Sequence, residues 1–272
     1  MYGDGFSSET DIVAVKEKIE AIPDAMRQMG WNVSADLMER WLHSPRWVLP
    51  QAWKSGEPSD PASLSPAHMD QRIVRMSWAM TNPRVQIAME ALRTNMANGA
   101  AKELLRKRMK ALPWGTSTRT GFGSRQHSAI MLERTCQSNY ENFGSKLDTL
   151  DDLYGALGMA TLKVALIGEA IRDERTGRLA LRVTHAGFYI RDTYDFAGAQ
   201  YLGTWTKSGV LSKSQVLMNA VMDGLAFRWG KPVGQVSNRD FESYRSSTGF
   251  GGDFMIYSDV HWEPLALTLD LG

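Results

Sequence analysis

Apolar residues recur at three- and four-residue steps from about residue 11 to 112. Ile12, Val15, Ile19 and Ile22 share one face, Leu37, Met38, Trp41 and Leu42 a second, and Val85, Met89, Leu92 and Met96 a third. That period predicts amphipathic helices. Prolines divide them: Pro23 reads as opening a turn, five prolines fall between Pro45 and Pro66, and Pro83 and Pro113 punctuate the rest, each disfavouring helix in the residue before it. Trp31, Trp41, Trp47, Trp53 and Trp78 supply large apolar area for packing between helices.

Beyond "PWGTSTRTGFGSRQ", which reads as a linker or an ordered loop, the pattern changes. Helix is expected near 147–157. Then "TLKVALIGEAI", the polar turn "RDERTG" and the alternating "RLALRVTHAGFYI" predict a β-hairpin. "NRDFESYRSSTG" predicts a short helix, with Ser237 or Asn238 as N-cap and Gly249 as its stop. "GGDFMIYSDVHWEPLALTL" returns to strand. The expected fold is therefore α+β, a helical N-terminal lobe over 1–115 followed by a lobe over 116–272 with a mainly antiparallel sheet and short helices.

Composition narrows the function classes. With 43% apolar and 22% charged residues the chain can bury a core. A formal net charge of +1 gives no global field toward nucleic acid, and no nucleic-acid partner is expected. The single Cys136 rules out an intramolecular disulfide or a multi-cysteine zinc site. The N-terminus lacks a secretory signal pattern, and the most apolar window is broken by Gly155, Gly158, Lys163 and Gly168, so synthesis in the cytoplasm is expected.

Few motifs carry chemistry. The basic run "KELLRKRMK" reads as an amphipathic helix with a solvated face. The glycines of "GFG" and "GFGG" lack the spacing of a phosphate loop. His43, His68, His127, His185 and His261 are dispersed, and no GxSxG elbow is present. The remaining cluster is "RDTYDF", where Asp192, Tyr194 and Asp195 follow a strand-like run. From spacing alone these residues cap a strand and open a turn before Gly198 at least as well as they form an acid pair. If a turn begins at Asp192, the two carboxylates converge, each raising the other's pKa, and such a pair can hold a proton or a divalent cation.

Two resemblances bear on this cluster. "IPDAMRQMGWNVSADLMERW", "GFYIRDTYDFAGAQYLGTW", "VSNRDFESYR" and "GGDFMIYSDV" resemble a family of proteobacterial proteins often encoded beside type VI secretion spike components, which implies antibacterial effectors or their accessories. The quartet Asp192, Thr193, Tyr194, Asp195 with Phe196 resembles the Asp-x-Tyr-Asp signature of the colicin M group. That resemblance implies a toxin hydrolysing the lipid-linked peptidoglycan precursor between lipid and pyrophosphate in the periplasm. It implies Asp192, Tyr194 and Asp195 as active-site residues and magnesium held by Asp192 and Asp195. The colicin M group continues with a His-Arg pair, whereas this chain has "AGAQYLGTW", so Arg239, Arg245 or His261 would supply the missing partners. The implied enzyme is a metal-assisted phosphoric-ester hydrolase. Its implied partners are a secretion spike or adaptor protein, a cognate immunity protein and the lipid-linked cell-wall precursor. A non-enzymatic accessory, adaptor or chaperone and a membrane-disrupting toxin are the alternatives.

Overall fold

A computed structural model describes residues 9–54, 60–145, 148–196, 201–206, 209–211 and 232–272. The fold is mixed α+β, with N-terminal helices followed by a mostly antiparallel sheet and short helices. Two compact units form, and both are discontinuous in sequence. One takes Met1–Lys54, Leu147–Gly158 and Thr193–Phe254; the other takes Ser55–Lys146, Met159–Asp192 and Met255–Gly272. The chain thus crosses between units several times.

The first unit is helical at its base. Its N-terminal elements are α1 (Glu9–Glu20), α2 (Ile22–Gln28), α3 (Asn32–His43) and α4 (Gln51–Lys54). Pro23 lies in the first turn of α2, where its missing N–H costs no hydrogen bond; the turn expected there comes instead at Gly30, with φ of 77°. Leu37, Met38, Trp41 and Leu42 bury the face of α3 that their spacing predicts.

The second unit contributes β1 (Met69–Asp70), α5 (Met76–Ala79), α6 (Pro83–Asn95), α7 (Gly99–Lys110), β2 (Arg119–Phe122), α8 (Ala129–Thr135) and β3 (Gln137–Phe143). The side chains of Asn82 and Asn98 cap α6 and α7. The segment read as a linker supplies β2, which pairs with the strand described next.

Helix α9 (Asp152–Leu157), capped by Asp151, belongs to the first unit. Residue 147, where that helix was expected to start, lies outside the described residues. The long hairpin of β4 (Ala160–Arg172) and β5 (Leu179–Tyr194) forms the spine of the sheet. Its turn is fixed by Asp173, which accepts the N–H of Arg175 and of Thr176, and by Gly177 with φ of 71°.

Three strands of the first unit, β6 (Tyr201–Thr206), β7 (Gly209–Leu211) and β8 (Pro232–Ser237), form an antiparallel sheet in the order β7-β6-β8. Then comes α10 (Asn238–Thr248). It starts with a capping box of Ser237 and Asp240 and stops at Gly249 with φ of 74°, as its sequence predicts. The C-terminal apolar run divides into β9 (Phe254–Tyr257) and β10 (His261–Asp270).

In the seven-stranded sheet the order is β1-β9-β5-β4-β2, with β10 also on β5 and β3 also on β4. Each long strand is therefore flanked by two short ones set end to end. Only β1 and β9 run parallel among the described pairs. The stretch Ala186 to Ile190 of β5 is buried throughout, so both faces of the sheet are covered there. No helix among the described residues is long and apolar enough to cross a membrane.

Candidate functional site

Strand β5 runs through Tyr194, so the turn expected at Asp192 does not form there. Asp192 thus stands within the strand and Asp195 just beyond its end. Tyr194 is buried; its ring stacks on Phe254 at 5.2 Å and meets Phe196 edge-on at 5.4 Å. Burial pushes its hydroxyl far up from the ordinary tyrosine range. Phe196 in turn stacks on Phe241 at 3.8 Å, beside Trp41. Tyr194 is thus a core residue of the first unit, with the half-buried Phe196 packed beside it.

Asp195 accepts from Lys54 Nζ at 2.5 Å, and both side chains are largely buried. An ammonium so close occupies the position that a cation would need. Asp192 lies half-buried near the end of β5. No group of three metal-ligating side chains occurs among the described residues.

The candidate basic partners stand elsewhere. Arg239 is exposed near the start of α10. His261 opens β10 opposite Phe188 and sits 3.5 Å from Glu263; Asp192 is four residues further along β5, roughly 13 Å at strand rise. Arg245 is fully engaged in the first unit, where it pairs with the buried Asp253 and donates to the Gly251 carbonyl at 2.7 Å.

A different constellation is assembled in the sheet unit. Lys163 of β4 is in register with Tyr189 of β5, and Thr161 with Arg191, so Lys163, Tyr189 and Arg191 share one face. Onto this face α8 presents Glu133. Its Oε1 lies 3.1 Å from Lys163 Nζ and 3.4 Å from Arg191 Nε, and all three side chains keep only 12 to 14% of their surface exposed. Glu133 Oε2 is buried with no hydrogen-bond partner. Tyr257 from β9 adjoins Glu133 and Arg191. Arg108 from α7 and Cys136, just past α8, border the same group, next to Tyr189.

Electrostatics at this cluster follow from burial. Lys163 is held below its ordinary value by desolvation first, then by the cations of Arg191 and Arg108, against the opposing pull of Glu133. Arg108 is lowered by burial, and Tyr189, Tyr257 and the Cys136 thiol are raised by it. Since the folded-state value of Lys163 lies below the ordinary 10.5, the unfolded chain holds that proton longer as pH climbs toward 10.5, and Lys163 contributes a rise in stability there, against the fall contributed by the raised Tyr189, Tyr257 and Cys136. The thermal midpoint of the wild type relative to that of Lys163→Met should therefore climb with pH in that window. An identical profile in the variant would contradict the depressed lysine.

Sequence reasoning passed over this site. Lys163 was visible only as a charge interrupting an apolar run, and an unexplained charge in a strand buried on both faces is itself a signal. Glu133 and Arg108 are brought in by helices far away in sequence, and no local pattern reveals that.

The model of a family of unknown function, DUF6402, matches residues 18–271. The chain belongs to that family. No curated protein and no solved structure matches it. The DUF6402 match spans both units, so the cluster on β4, β5, α7 and α8 and the aromatic packing around Tyr194 both fall within the family region.

Proposed function

We propose that this DUF6402 protein is an antibacterial toxin of the type VI secretion effector kind. It hydrolyses the lipid-linked peptidoglycan precursor where lipid meets pyrophosphate, with Glu133 and not the Asp192–Asp195 segment as base. The observation that carries this reading is a buried carboxylate among cations, with Oε1 taken by Lys163 and Arg191 and Oε2 free. Phosphoryl transfer needs positive charge around the phosphorus and a base for the attacking water. In this reading water attacks phosphorus and Glu133 Oε2 takes its proton. The bond from phosphorus to the lipid oxygen breaks, and the lipid alcohol leaves with a proton from solvent. Lys163 and Arg191 offset the charge gathering on the phosphoryl oxygens.

The Asp-x-Tyr-Asp resemblance supports the substrate class and the periplasm of a target cell as the place of action. Delivery by a spike or adaptor protein and neutralisation by an immunity protein belong to the same proposal.

The test is release of pyrophosphoryl-linked sugar from the purified precursor, with and without magnesium. Wild type should release it, Glu133→Gln should lose about 100-fold or more in rate, and the Asp192→Ala, Asp195→Ala double variant should keep its activity. No release by wild type would sink the activity, and full activity in Glu133→Gln would sink the site.

A further inference from the structure

We infer that the sheet unit contains a seat for a phosphate group, built from Arg108, Lys163, Arg191 and the hydroxyls of Tyr189 and Tyr257. The argument starts from groups that the fold leaves unfinished. Arg108 Nε and Nη1, Tyr189 Oη, Tyr257 Oη and Glu133 Oε2 are all buried without a hydrogen-bond partner. Native proteins leave only a few such atoms per hundred residues, and here they gather in one place. Tyr189 and Tyr257 are 0% and 1% exposed, so solvent cannot complete them at the surface.

The charges agree. The one carboxylate in the group is already shared by Lys163 and Arg191, and Arg108 has no ion-pair partner among the described residues. A buried guanidinium that must share Glu133 with two closer cations is poorly neutralised, and an entering anion relieves that cost. Two free nitrogens on Arg108 and two hydroxyls provide four donor atoms. Such a set suits the several terminal oxygens of a tetrahedral oxyanion better than a planar carboxylate. The seat neutralises its ligand with the protein's own cations.

This inference deepens the proposed hydrolytic reading, and it rests on that reading only for taking the oxyanion to be phosphate. The experiment is calorimetric titration of the full chain with inorganic phosphate and pyrophosphate in EDTA, with acetate as the planar comparison. Binding of both phosphates, with acetate at least tenfold weaker, is expected. Arg108→Met should weaken phosphate at least tenfold. Tyr189→Phe and Tyr257→Phe keep the inference testable if that variant fails to fold. Tyr189→Phe removes a buried hydroxyl that has no hydrogen-bond partner in the free protein, so its thermal midpoint should hold or rise, and phosphate binding should fall in both variants. Absence of phosphate heat, or binding that both tyrosine variants leave unchanged, overturns the seat. Precursor hydrolysis without phosphate binding would refute the seat and leave the activity standing; phosphate binding without hydrolysis would do the reverse.

Discussion

Asp253→Ala should lower the unfolding free energy by about 3–5 kcal/mol, the cost typical of removing one partner of a buried ion pair. Asp253 is 1% exposed and faces Arg245, itself 5% exposed. The same carboxylate accepts from Trp41 Nε1 at 3.0 Å and from the Leu49 N–H at 3.0 Å. Alanine therefore strands a guanidinium, an indole N–H and a backbone N–H in a region closed to water. Trp41 is also the ring against which Phe196 and Phe241 pack, and Arg245 lies over its face at 5.3 Å. The loss should thus spread into the aromatic core. Urea denaturation is the measurement, and a loss below about 1 kcal/mol would mean that the pair is solvated. The double replacement Arg245→Met, Asp253→Leu should recover the part of the deficit that comes from the stranded guanidinium, while the Trp41 and Leu49 N–H groups stay without their acceptor.

Gly168→Val should be the most damaging change in the sheet unit. A Cβ there would lie 1.9 Å from the Arg182 carbonyl oxygen and 3.0 Å from the Val183 Cα. Both are backbone atoms of the partner strand, so no side chain can swing aside. The position coincides with the register shift between Ile167 and Gly168, where the hairpin bends. Overpacking costs typically 1–3 kcal/mol, and with the strand itself obstructed we expect about 3 kcal/mol, read as a fall in thermal midpoint. Gly121→Ala, in β2 with nothing within 4 Å of the added carbon, is the control and should stay within about 0.5 kcal/mol of wild type. Equal effects at the two positions would remove the steric explanation.

These two positions show how unevenly the fold is written in the sequence. Local signals were legible: the capping box at Ser237, the stop at Gly249, the hairpin turn at Gly177 and the buried face of α3 all follow from residue type and period. Signals that depend on distant partners were not. Tyr194 reads as a polar residue beside two acids, but its ring completes a stack whose other member, Phe254, is sixty residues further on. That β5 continues through Tyr194 instead of turning at Asp192 is a matter of strand pairing that no window of a few residues contains. The sheet-unit cluster is the converse case. Lys163 and Arg191 meet through hairpin register, Glu133 arrives on α8 and Arg108 on α7. Each looks ordinary in its own segment.

The interleaved course of the chain has a consequence for synthesis. Lys18 is tied to Asp240 at 3.1 Å, Ser34 to Asp152 at 2.7 Å and Trp41 to Asp253 at 3.0 Å. The first unit thus recruits partners from the beginning, middle and end of the sequence. Contacts between such distant residues close large loops before any burial rewards them. During translation Trp41, buried in the finished fold, leaves the ribosome long before its acceptor Asp253 is made. The N-terminal helices thus wait more than two hundred residues for that partner, an interval in which a chaperone that binds apolar helices can act.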